Sequence, residues 1–411
     1  MLKTSIRWAA VRAFLFGGLL SATIATLACG GSSHSGSNSS SNPSPVSGQN
    51  VQPVVVDSGP LGNYVNGIFT SVTVCIPGSS NCQTIDHVLV DTGSYGLRLL
   101  SSALTLSLPQ ENASNVALAE CAQFSDGITW GSVRMADVKL AGEQASNIPI
   151  QVIGDPGFPD VPASCSSNGA PEDTLQKLLA KGILGVGIFR QDCGPGCMPG
   201  TTSNPGVYYA CPSSGCVVTV AGLAQQVQNP VWMFSSDSNG VVIELPAVSP
   251  TGAPSVSGSM IFGIGTQSNN SLGAAKVFTL NQNADITTVL NGKSYNTSFI
   301  DSGSNGYFFL DSATTGIPLC ASPNTGFYCP ASTQNLSATQ QGSNGAASTI
   351  TFSVANAESL FSNSANFALP DLGGPNANTF DWGLPFFYGR NVFTAIELQN
   401  TPAGPGPYWA Y

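Results

Sequence analysis

The chain has 411 residues, enough for one large unit or two sizeable lobes with cores of their own. Hydrophobic residues make up 42% and charged residues only 8%, well under the usual quarter, so Ser, Thr, Asn, Gln and Gly must carry its solubility. The net charge of −10 leaves no basic footprint, which excludes DNA and RNA as partners.

Lys3, Arg7 and Arg12 precede an apolar run from Phe14 to Ala28. These are the n-region and h-region of an export signal, too short and wrongly flanked for a mature transmembrane helix. Without those three bases, 9 Lys and Arg face 22 acids, a net of −13. Ala28-Cys29-Gly30 resembles the lipobox of bacterial lipoproteins, in which the cysteine becomes the lipidated first residue. Thr26 stands where that box has Leu, and Leu27 where it has a small residue. Residues 1–28 are therefore expected to be removed and the membrane to be a partner through lipid on Cys29. An ordinary secretory signal beside a free cysteine is the alternative. Gly30, rather than Asp, after the cysteine favours the outer membrane by the same resemblance. Residues 29–50 are Cys29 and a Ser/Gly/Asn/Pro tether whose twenty or so residues span roughly 25 Å. No second apolar run reaches spanning length.

From Val51 onward the sequence is β-like, with short runs of Val, Ile, Thr and Phe between Gly, Asn and Pro. Strands are expected at Ile68–Ile76, Asp86–Val90, Val133–Leu140, Ile148–Ile153, Gly240–Leu245, Ser259–Phe262 and Thr349–Val354. A helix is expected over Thr174–Ala180, where Leu175, Leu178 and Leu179 share a face before Gly182, and a short second one over Leu223–Val227. Of eleven cysteines, ten remain once Cys29 is set aside, and an even count in an exported chain reads as disulfides. The sequence does not fix the pairing. Short loops favour Cys75–Cys82, Cys193–Cys197, Cys211–Cys216 and Cys320–Cys329, which leaves Cys121 and Cys165 for each other. Metal binding is disfavoured, because His34 sits in the tether and His87 stands alone.

Two strings stand out: Leu89-Val90-Asp91-Thr92-Gly93-Ser94 and Phe299-Ile300-Asp301-Ser302-Gly303-Ser304, 210 residues apart. One Asp-(Thr/Ser)-Gly triplet is expected by chance about a few tenths of a time in such a chain; two with matching apolar lead-ins and matching serines are far rarer. An aspartate at the tip of an apolar strand is costly to bury as an anion. If the loops meet, both carboxylates cannot ionise at close range, and one pKa rises. The pair then shares a proton. One carboxylate deprotonates a water while the other donates to a carbonyl oxygen, with no cofactor. Thr92 and Ser302 offer hydroxyls to tie each loop to the other's backbone, Gly93 and Gly303 make the turns, and Ser94 and Ser304 can donate to the outer carboxylate oxygens.

With these loops, residues 63–398 resemble the pepsin family of two-lobed aspartic proteases. Ile183-Leu184-Gly185-Val186-Gly187 is similar to the segment that threads behind that family's first catalytic loop. Phe124-Ser125-Asp126-Gly127 resembles its flap hairpin. Asn229–Phe234 and Gly258–Gly263 resemble strands at its lobe junction, and Trp382–Phe387 with Val392–Glu397 resembles its closing segment. The resemblance implies an all-β, bilobal double barrel with lobes at 51–235 and 236–411. It also implies Asp91 and Asp301 as catalytic residues, Phe124, Asp126 and Gly127 at the flap, and a peptide or protein substrate between the lobes. A monomer is expected.

Three positions depart from that pattern. Phe124 replaces the flap tyrosine, Gly96-Leu97-Arg98 replaces Asn-Leu-Trp, and Asp381 occupies an apolar position before Trp382-Gly383. Phe124 is then either a flap residue or a core aromatic. Asp126 and Trp130 read as turn and packing residues, and Arg98 as a solvated or paired surface residue, with lining of the cleft as the alternative. The two Asp triplets could also be plain Asx turns. A serine hydrolase is disfavoured, because no Gly-x-Ser-x-Gly occurs. The expected function is peptide-bond hydrolysis, with a non-catalytic envelope binding protein of the same fold as the alternative.

Overall fold

The computed structural model describes residues 48–202 and 204–411; the leader, Cys29 and the tether up to residue 47 lie outside the described residues. The fold is all-β. One continuous sheet has 16 strands and a second has 7, while the α-helices of the described residues are four short turns.

In the first half, six strands close on themselves into a barrel. Gly67–Cys75 pairs with Cys82–Asp91, which pairs with Gly182–Val186, then come Tyr95–Leu100, Glu143–Ile153 and Ile128–Leu140, and the last returns to Gly67–Cys75. Closure removes the exposed edges that an open sheet would present. Val72, Val88, Leu97, Val133, Ile150 and Ile183 fill its buried side. In the second half, Lys293–Ile300, Asn376–Trp382 and Tyr307–Leu310 lie at the heart of the seven-stranded sheet. They pack on a cluster of rings, Phe309, Phe352, Phe380 and Trp382. Val51–Asp57 joins the halves: it runs antiparallel both to Gly67–Cys75 and to Val256–Phe262.

All seven expected strands are present, most of them longer than the apolar runs that signalled them. Helix Leu175–Leu178 forms and stops where Leu179 turns left-handed at φ 57°. Three expectations need correction. Leu223–Val227 is a turn, held by Gln225 and Gln226 N–H donating to Gly222 O and by the Gln228 side chain donating to Leu223 O, so side-chain bonds displace a helical ladder. Asn229–Phe234 contains a 3-10 turn, Val231–Met233, because Pro230 fixes φ at −64° and has no N–H for a sheet. Asn50, read as tether, is fully buried and donates to Phe262 O at 2.9 Å, so the ordered body starts ahead of Val51.

The five disulfides pair Cys75–Cys82, Cys121–Cys165, Cys193–Cys197, Cys211–Cys216 and Cys320–Cys329, as the short loops suggested. They point to maturation in an oxidising, exported environment. Among the described residues, no helix is long and apolar enough to cross a membrane.

Candidate active site

The same three-strand device builds both Asp loops. Cys82–Asp91 enters the first and Tyr95–Leu100 leaves it, while Gly182–Val186 threads between them, parallel to one and antiparallel to the other. In the second, Lys293–Ile300 enters, Tyr307–Leu310 leaves, and Asn376–Trp382 threads between. A glycine stands where each threading strand meets its loop. A Cβ at Gly185 would lie 2.5 Å from Tyr95 N, and one at Gly383 2.1 Å from Gly306 O.

The two loops meet face to face. Thr92 N–H donates to Ser302 Oγ at 3.1 Å, and Ser302 N–H donates to Thr92 Oγ1 at 2.9 Å. Each hydroxyl then donates behind the opposite aspartate, Ser302 Oγ to Val90 O at 2.8 Å and Thr92 Oγ1 to Ile300 O at 3.4 Å. Gly93 N–H donates to Asp91 Oδ1 and Gly303 N–H to Asp301 Oδ1, both at 2.8 Å. Ser94 Oγ donates to Asp91 Oδ2 at 2.5 Å, and Ser304 Oγ lies 2.8 Å from Asp301 Oδ2. Gly93 packs on the carboxyl of Asp301 and Gly303 on that of Asp91, and the two carboxyls hydrogen-bond each other.

Both aspartates are fully buried. Burial, then the Asp91 carboxylate, then Asp381 hold Asp301 well above the ordinary carboxylate range, with Ser304 pulling the other way. Burial raises Asp91 too, but the bonds from Asp301, Ser94 and Gly93 and the field of Arg98 favour its charged form. The pair titrates as one unit, with the proton biased to Asp301 and the charge to Asp91.

Phe124 opens the turn between strands Val116–Gln123 and Ile128–Leu140, its N–H donating to Gly127 O at 2.8 Å and its ring buried. Asp126 is half-buried at the tip. Gly127 fits against residues 170–172, where a Cβ would lie 2.7 Å from Ala170 O. Trp130 is a packing residue, edge-on to Tyr209 with Nε1–H donating to Phe158 O.

Arg98 is not at the surface. It is fully buried, 2.5 Å from Glu120 Oε1 and 3.2 Å from Asp192 Oδ2, with Nη1 donating to Tyr95 O and its guanidinium 5.9 Å from the centre of the Phe124 ring. Its strand is inaccessible on both faces, so the cation needs buried carboxylates. Glu120, Asp192 and Tyr208, whose hydroxyl donates to Asp192 Oδ1 at 2.6 Å, escaped the sequence reading because nothing local marks them as a cluster. Among the described residues, Cys320, Cys329 and Glu358 lie close enough to share an ion, but the two sulfurs are tied in a disulfide.

A family model described as "Protein of unknown function (DUF3443)" matches residues 46–411, and the chain belongs to that family. No curated protein matches the chain.

Proposed function

We propose that this member of the DUF3443 family is a pepsin-like, two-lobed aspartic endopeptidase. The observation that carries the reading is the paired, buried Asp91 and Asp301, one from each half, tied by reciprocal Thr92 and Ser302 bonds. Asp91 takes a proton from a water held between the carboxyls, and the resulting hydroxide attacks the peptide carbonyl carbon. Asp301 gives its proton to the carbonyl oxygen. The tetrahedral diol then collapses: the C–N bond breaks, Asp91 returns its proton to the leaving nitrogen, and Asp301 regains one from the diol. Fixed Gly93 and Gly303 N–H groups and Ser94 and Ser304 hydroxyls hold both carboxyls in place throughout, which is the preorganisation that such a reaction needs.

The test is digestion of a peptide library between acid and neutral pH by wild type, Asp91→Asn, Asp301→Asn and the double variant. All three variants fall to the same floor, because the two residues act as one unit, and a pepstatin-like transition-state mimic blocks the wild type. Cleavage that persists undiminished in Asp91→Asn would move the chemistry elsewhere.

Phe124 favours a second reading, since it brings no hydroxyl where the resemblance puts a flap tyrosine. On that reading the chain binds a ligand in the same cleft without cutting it, and a wild type that binds peptides but leaves them whole would decide for it. In either case we assign lipid on Cys29 as the anchor, with the outer membrane as its site.

A further inference from the structure

Residues paired in the two loops can be matched one to one. Leu89, Val90 and Asp91 face Ile183, Leu184 and Gly185, while Phe299 and Ile300 face Asp381 and Trp382. Asp381 therefore occupies the position that Ile183 fills in the first half, and like Ile183 it is buried, at 1% exposure. Its cross-strand neighbours, Phe299 and Phe308, carry no charge. The charge of Asp381 reaches Asp301 in the catalytic loop.

Ser304 Oγ lies 2.8 Å from Asp301 Oδ2 and 2.6 Å from Asp381 Oδ2. A hydroxyl has one proton to give and lone pairs to receive. Two carboxyl oxygens at those distances can both be bonded to Ser304 only if one of the carboxyls is itself protonated and donates. The contact between Asp91 and Asp301 needs a carboxyl proton of its own. The chain Ser94–Asp91–Asp301–Ser304–Asp381 thus has four contacts and two hydroxyl protons, so its three carboxyls must supply two more and keep one charge. That charge belongs on Asp91, which receives the Gly93 N–H, the Ser94 hydroxyl and the field of Arg98.

We propose that Asp381 is a third, protonated carboxyl of the site, which donates to Ser304 Oγ and so frees the Ser304 hydroxyl proton for Asp301. The outer oxygen of Asp301 is then always occupied by a donor, and the proton of the pair is confined to the side shared with Asp91. Asp381 is a positioning residue here, since it acts on the acid through Ser304. This deepens the peptidase reading of the same site, but its readout is protonation and not cleavage.

The experiment is carbon NMR of the folded chain labelled at the aspartate carboxyl carbons, at neutral pH and without substrate. Two aspartates of the site appear in the protonated position in the wild type, apart from Asp192, which burial and Glu120 also hold well above the ordinary carboxylate range and whose signal Asp192→Asn identifies. In Asp381→Asn, whose amide N–H still serves Ser304, the number falls to one. A single protonated aspartate of the site in the wild type overturns the proposal, and so does an unchanged count in Asp381→Asn. The wild-type count decides alone if that variant does not fold. An inert chain with two protonated aspartates would sink only the peptidase reading, whereas an active chain with one would sink only this.

Discussion

Gly93→Ala tests whether the two carboxyls truly meet across the glycines. The new Cβ would sit 2.6 Å from Asp301 Cγ and 2.7 and 2.8 Å from its oxygens. Carbon pairs rest near 3.5 Å, so the Asp301 carboxyl must retreat by roughly 0.9 Å or the loop must shift. Gly93 is not left-handed, so backbone strain does not enter. Stiffening the unfolded chain would by itself stabilise by about 0.4–1 kcal/mol. Overpacking costs about 1–3 kcal/mol and outweighs it. A displacement of about 1 Å in a reacting group lowers the rate about a hundredfold. Gly303→Ala should behave alike, because its Cβ would lie 2.6 Å from Asp91 Oδ1. Gly222→Ala is the control: its nearest neighbour is 3.4 Å away and its φ is ordinary, so it melts at or slightly above the wild-type temperature. Denaturant unfolding of the three variants reads stability, and peptide cleavage reads position. If Gly93→Ala and Gly303→Ala are as stable as Gly222→Ala, the face-to-face packing of the loops is wrong.

Asp301 has a raised pKa in the folded chain, so between 3.8 and that raised value the folded state holds a proton that the unfolded state has lost. Its contribution is complete below 3.8 and is lost as pH rises through the folded value; Asp301→Asn flattens that fall in a series of melts across pH. Arg98→Leu leaves Glu120 and Asp192 buried without their cation and destabilises by about 3–5 kcal/mol, and a loss under about 1 kcal/mol would show that the cluster does not need it. Removing Cys121–Cys165, which closes a separation of 44 residues, lowers stability by about 4 kcal/mol, against about 2 for Cys193–Cys197 with a separation of 4, as denaturant midpoints would report. Cys29→Ser leaves the protein unlipidated, and fractionation finds it soluble or held as an unprocessed precursor; a lipidated membrane form of the variant would refute the anchor.

The Asp loops were legible because their chemistry is local. Four residues, an apolar lead-in and one glycine specify both the strand end and the turn. Four of the disulfides were legible because short loops close cheaply, and Cys121–Cys165, 44 residues apart, only as the pair left over. Arg98 was misjudged because charge normally means surface, and its partners Glu120 and Asp192 come from 22 and 94 residues away. Asp381 showed only as a mismatch. Its meaning depends on Ser304, 77 residues earlier, and on a register that places both at one strand crossing. Leu223–Val227 carries a helical pattern, but its glutamine side chains bond to nearby backbone and a tertiary arrangement overrides it.

Val51–Asp57 has a consequence for how the chain is made. Its partner strand arrives late: 212 residues separate Asn50 from Phe262. A chain that enters the exported compartment N-terminus first leaves one side of this strand without its neighbour while the intervening residues follow. An unfilled edge is a template for pairing with other nascent copies. Pro53 does not blunt that edge, because its carbonyl accepts from Thr70 Oγ1 at 2.8 Å and the polar side of this residue faces Gly67–Cys75, the early neighbour. The late side therefore keeps all its donors and acceptors open until the chain's own second half arrives to cover it.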